Sequence, residues 1–213
     1  MKKSHVRLLV VLLILLIFPL ISWYYLRSGL DYRMEAIAEF EEFGQFSWID
    51  SYDERGRFVS EDRFDRKFIV AGIVPENQDD QKLFSSRFLG IMEQFSSRDE
   101  VLYLNIISVD IHDQEGIGQK LYSAYPGTNL NHLVVKFDET EIDSMMGVWT
   151  SGMELSGRDK RDYLYLVDDR GRVVQYYNFY EDHRVARLVE HLSMQFTAKQ
   201  NRRDYSDAIR QRL

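Results

Sequence analysis

Nineteen consecutive residues, Leu8 to Leu26, carry no charge, and beyond them the hydrophobic positions break into short runs and helical stripes. At about 1.5 Å per residue the run spans roughly 28 Å as a helix, close to the hydrocarbon thickness of a bilayer. Next, Met34, Ile37, Phe40 and Phe43 share one face of a short helix over Asp31 to Phe43, with Gly44 as its stop. Phe46 to Ile49 and Arg57 to Val59 read as a hairpin around Asp53-Glu54-Arg55-Gly56. Continuous apolar runs predict buried strands at Lys67 to Val74 and Val101 to Val109. Between them Leu83, Phe84, Phe88, Ile91, Met92 and Phe95 recur at three-to-four spacing, a helix over Asp79 to Ser97. Leu133 to Phe137 is a third short strand and Thr140 to Val148 a helix. Tyr163 to Val167 and Arg172 to Tyr177 flank the turn Asp168-Asp169-Arg170-Gly171. A helix from Asp182 to Phe196 closes the pattern, with Val185, Leu188, Val189 and Leu192 on one face.

Helices alternating with buried strands, then a hairpin and a helix, give an α/β sandwich. That order suits a thioredoxin-like sandwich with an N-terminal β-hairpin, preceded by one transmembrane helix. Four segments result: a membrane anchor over 1–30, a juxtamembrane helix over 31–45, the α/β domain over 46–196, and a basic tail over 197–213.

Charge sharpens the first and last of these. Lys2, Lys3 and Arg7 precede the apolar run, which places the N-terminus inside and the rest of the chain on the periplasmic or extracytoplasmic side. Trp23, Tyr24 and Tyr25 fall at the far interface, where amphipathic rings are favoured. Those bulky residues stand where a cleaved leader would carry a small-x-small site, so a retained anchor is the expectation. Residues 1–33 hold five basic and one acidic residue, and residues 197–213 hold five and two. The remaining 17 basic and 31 acidic residues give the central domain −14, against −7 for the whole chain. Such a domain is a poor partner for nucleic acid and for anionic lipid.

Cysteine is absent from all 213 residues. Disulfides, thiol chemistry and thiolate metal sites are excluded together. The absence matters most at Val74-Pro75-Glu76-Asn77-Gln78, between a buried strand and a helix. A helix N-terminus carries unpaired N–H groups and partial positive charge that would stabilise a thiolate.

From about Phe46 to Phe196 the chain resembles the Sco/SenC family, membrane-anchored thioredoxin-like proteins associated with copper delivery to cytochrome oxidase. The resemblance lies in the turn Asp53-Glu54-Arg55-Gly56, the entry Ser60-Glu61-Asp62-Arg63-Phe64, and the strand into Val74-Pro75. Ile107-Ser108-Val109-Asp110 and Tyr165-Leu166-Val167-Asp168 complete it. It implies that the family's C-P-x-x-C-type motif falls on Val74, Pro75 and Gln78, with only the proline kept. The family's third copper ligand, by the same implication, falls near Lys160. A valine, a glutamine and an ammonium group cannot replace two thiolates and an imidazole as soft copper donors.

Other chemistry is sparse. Asp110, His112 and Asp113 follow a buried strand, where open α/β sheets often place ligands. No second histidine lies at ligand spacing, so the segment reads first as a solvated loop and only alternatively as a metal site. His183 and His191, eight apart on the last helix, read as surface histidines. Met145 and Met146 point about 100° apart on a helix, which suits core packing, with Met153, better than a shared copper site. Gly116-Ile117-Gly118 lacks the third glycine of a dinucleotide loop. Glu139, Glu141 and Asp143 read as a wet helix face. Tyr176, Tyr177, Phe179 and Tyr180 cluster between the last strand and helix; core burial accounts for about half of the cluster, and an exposed remainder would suit a partner surface. In the tail, Tyr205, Ile209 and Leu213 recur every four residues, so the segment reads first as a frayed, solvated end and alternatively as a short amphipathic helix that could form on docking.

The expectation is a noncatalytic domain without cofactor, attached to the membrane through residues 8–26 and binding a membrane or periplasmic protein. By resemblance, its setting is respiratory oxidase assembly. The alternative is a metal-related protein using Asp110, His112 and Asp113.

Overall fold

The computed structural model describes residues 3–109, 131–153 and 159–210, excepting the side chains of 3–12, 14, 198 and 201–210. Two compact units divide the chain, Met1–Phe40 and Glu41–Leu213.

The first unit is helix α1, Lys3–Ala38, with Pro19 inside it. The separate helix expected over Asp31 to Phe43 is instead the continuation of α1. Gly29 is the one helix-breaking residue after the apolar run, and a single glycine costs only about 1 kcal/mol against alanine. Among the described residues no helix is long and apolar enough to cross a membrane. From residue 15 onward α1 carries Arg27, Asp31, Arg33 and Glu35, while Leu8 to Leu12 and Ile14 lie outside the described side chains.

The second unit contains eight described strands: β1 (Gly44–Gln45), β2 (Ser51–Tyr52), β3 (Phe58–Val59), β4 (Phe68–Ile73), β5 (Val101–Ser108), β6 (His132–Phe137), β7 (Tyr163–Val167) and β8 (Arg172–Asn178). Its described α-helices are α2 (Gln78–Gln94), α3 (Glu139–Trp149) and α4 (Asp182–Arg210). Six strands form one sheet in the order β1-β8-β7-β4-β5-β6. β4, β5 and β6 are parallel; β7 runs antiparallel to β4, and β8 to β7. β4 is buried along its whole length, which is why its sequence is continuously apolar rather than alternating. Ile69, Ala71 and Ile73 join the core that holds Ile142, Met145, Met146 and Trp149 of α3. Gly72 faces the other way. A Cβ there would sit 2.8 Å from the Phe84 ring and 2.9 Å from Leu164, so glycine is what lets α2 lie close against the sheet.

The hairpin keeps its expected turn and second arm, β3, but its first arm is β2 rather than Phe46 to Ile49, with Tyr52 opposite Phe58. Phe46 and Trp48 are used as filler instead. Their rings pack on Phe64, Trp149 and Phe137, while Trp48 Nε1 donates to Val59 O at 2.9 Å and Trp149 Nε1 to Ser47 O at 3.0 Å. The hairpin turn lies along β6, with Glu54 N donating to Val134 O at 2.9 Å and Asp53 bridged to Val135.

Two turns repeat one device. In Asp53-Glu54-Arg55-Gly56-Arg57 and Asp168-Asp169-Arg170-Gly171-Arg172, a buried aspartate accepts at Oδ1 from the backbone N–H groups two and four residues on, at 2.8–3.0 Å. Its Oδ2 takes the guanidinium of the arginine four residues on. The glycines lie at φ 70° and 77°, a left-handed conformation that side chains resist.

At the other end of the chain, α4 runs past Phe196 to Arg210, so the first part of the tail is helical. Lys199, largely buried, holds that extension down: Nζ donates to Arg66 O at 3.0 Å, lies 3.7 Å from Asp169 and 4.9 Å from the Phe68 ring centre.

Candidate functional site

β4 delivers the chain to one end of the sheet, where the loop 74–77 turns into α2. Val74 is buried and its N–H donates to Ile106 O at 2.8 Å, so the first candidate position belongs to the core. Glu76, Asn77 and Gln78 are exposed. Asn77 caps α2, its side chain accepting from Asp79 N at 3.0 Å. Asp79 and Asp80 follow in the first turn and neutralise the positive end of the helix. Gln81, buried beneath the loop, donates its side-chain amide to Pro75 O at 2.8 Å and Glu76 O at 3.1 Å. That loop is fastened by Asn77 and by Gln81 of α2, and it presents no nucleophile.

Lys160 stands in the short 3-10 turn Lys160–Asp162, exposed, just before β7. Its carbonyl accepts from the Tyr165 hydroxyl, a phenol that burial first, then Tyr163 and the Asp159 and Asp162 carboxylates, push well above the ordinary tyrosine range. The structure does bring this turn to the loop, but through the next residue: Arg161 Nη1 lies 3.5 Å from Glu76 Oε1, and Nη2 donates to Glu139 Oε2 at the start of α3. Glu139 is thus an ion-pair partner. Glu141 closes the α3 capping box with Asp138, and only Asp143 of that acidic trio is left on a wet face. Gln81 and Arg161 were not singled out from sequence. The asparagine cap four residues before Gln81 was a usable signal for the first, whereas nothing local marks the second.

Among the described residues no group of three histidine, aspartate or glutamate side chains could hold a metal ion. Asp110, His112, Asp113 and the Gly116-Ile117-Gly118 stretch lie outside the described residues. Met145 and Met146 are buried in the core, as helical spacing predicts, with Met153 packed against it.

The aromatic cluster divides between core and surface. Tyr177 and Phe179 are fully buried, Tyr177 with its hydroxyl 2.6 Å from His191 Nδ1 and Phe179 edge-on to Phe84. Tyr176 is half-buried against Phe43 and Tyr163. Tyr180 alone of the four is exposed, its hydroxyl pushed up to about 12 by burial and then by Asp80, Asp162 and Asp159. His191, expected at the surface, is also buried, because its face of α4 lies on β8.

His132 is another buried polar group. Asn105 Nδ2 and His132 Nε2 are 2.8 Å apart inside the sheet, beside Phe88. Burial first and the Arg55 guanidinium second lower this imidazole to about 4, so it is neutral at pH 7.

Three solved structures share this architecture. A Sco/SenC family lipoprotein from Bacillus anthracis str. Ames aligns with a TM-score of 0.57 at 10% identity, over 72% of this chain and 95% of its own. BsSco, of the Sco family of cytochrome c oxidase assembly proteins and bearing a disulfide switch, gives 0.56 at 14% identity over 73% and 95%. The thioredoxin domain of a thiol-disulfide oxidoreductase from Bacteroides vulgatus gives 0.50 at 12% over 72% and 96%.

The fold is thioredoxin-like.

It is the fold of the Sco/SenC proteins and of thioredoxin-like oxidoreductases, carried here by a chain without cysteine. No family model and no curated protein matches the sequence.

Proposed function

We propose that this chain is a noncatalytic, Sco-like thioredoxin-like domain that binds a protein partner on the extracytoplasmic side of a membrane. One observation carries the reading: at the strand-to-helix loop where a thiol site would stand, Val74 is core, Gln81 fastens the loop and Arg161 spans it, while the surrounding fold is kept. Cytochrome oxidase assembly enters by likeness to the Sco proteins alone. The tether rests on the uncharged run Leu8 to Leu26 and the cations ahead of it.

Copper titration of the purified full chain tests the central claim. The expected outcome is no stoichiometric binding of Cu(I) or Cu(II). Tight one-to-one binding abolished by His112→Ala overturns it in favour of a metal site at Asp110, His112 and Asp113. Crosslinking in intact membranes followed by gentle solubilisation tests the partner, and a chain recovered alone removes that part of the proposal.

A further inference from the structure

The hydrogen-bonded ladder between β4 and β7 ends at Gly72 opposite Leu164, short of the loop that follows β4. Beyond that point Arg161 reaches across. Its guanidinium lies between Glu76 of the β4–α2 loop and Glu139, the first residue of α3. The base of the arginine is fixed, since Asp159 Oδ1 accepts from Arg161 N at 3.0 Å and the neighbouring Lys160 carbonyl accepts from buried Tyr165. Three segments from three different connections therefore meet at one cation.

We propose that Arg161 is an electrostatic strap, closing the β4–α2 loop onto the start of α3 and releasing it as ionic strength rises. The guanidinium suits the task because its fork of donors engages two carboxylates at once, which an ammonium group does less well. Arg161 and Glu139 have side chains 24% and 32% exposed, sheltered enough to be ordered, while Glu76 at 72% is open to screening. The strap goes beyond the proposed function and holds whether or not copper binds.

Hydrogen exchange of the full chain in detergent micelles tests it. In Arg161→Met and in Glu139→Gln, amides 76–81 should exchange about two- to fivefold faster, the range expected for partly exposed ion pairs. Amides of β5 should not change. Potassium chloride at about 1 M should reproduce the acceleration in the native chain and add nothing to Arg161→Met, given a screening length of about 3 Å. Unchanged loop exchange in both variants overturns the strap. So does an equal acceleration across β5, which would mark a fold-wide loss of stability.

Discussion

Asp53 and Asp168 each sit buried inside a five-residue turn, satisfied by two backbone N–H groups and one arginine. Removing the aspartate strands those donors, so Asp168→Ala should cost about 2–3 kcal/mol in urea unfolding. Arg172→Met should cost at least as much, since a buried carboxylate then loses its countercharge. His132 sets the acid behaviour. Its unfolded imidazole titrates near 6.5 and its folded one near 4. Above 6.5 both states are neutral. Between 6.5 and 4 only the unfolded chain takes up the proton, so stability falls with acidification by up to about 3 kcal/mol. His132→Gln should flatten that part of the stability profile. The sequence showed the two turns plainly, because Asp, Gly and Arg at fixed offsets are local signals. It could not show that His132 and His191 are buried, since their partners Asn105 and Tyr177 come from other elements of the fold.

At the scale of elements, strands and helices were legible wherever burial on both sides or a helical stripe repeated often enough. β4, β5, α2 and β7 fall within a few residues of their patterns. The misplacements share a cause: side chains recruited over long range. Phe46 and Trp48 alternate like a strand but are drawn into the core by Phe64 and Trp149. Gly44, read as a helix stop, instead begins β1, where a Cβ would lie 2.3 Å from Val148 O and 2.5 Å from Trp149 O. Backbone carbonyls cannot step aside, so Gly44→Ala should cost about 1–3 kcal/mol, read from thermal melts. The extension of α4 depends on Lys199 in the same way. Lys199→Met should lose about 1–2 kcal/mol and open the 197–210 stretch to limited proteolysis, leaving β4 and β5 protected.

For the whole molecule, the core cluster lies wholly within residues 41–213, which are expected to fold without α1. A chain beginning at Glu41 should give a cooperative melt close to that of the full protein in detergent. The full chain should stay with membranes after alkaline carbonate extraction; release would remove the tether. The fold class was readable because the order of elements is a one-dimensional property. The state of the site was half readable: missing thiols are visible in sequence, whereas a loop fastened by Gln81 and crossed by Arg161 is a three-dimensional fact.

The turn of the β2–β3 hairpin lies along the outer side of β6, the last of the described strands in the sheet. Its six residues, His132-Leu133-Val134-Val135-Lys136-Phe137, combine β-branched and aromatic side chains with a single full charge. Left bare, such a margin is a template on which another chain can add a strand and seed fibrils. The hairpin turn occupies part of that margin, which disfavours such pairing. Deleting residues 51–59 should yield protein that aggregates with thioflavin-positive kinetics, at concentrations where the intact chain remains dispersed.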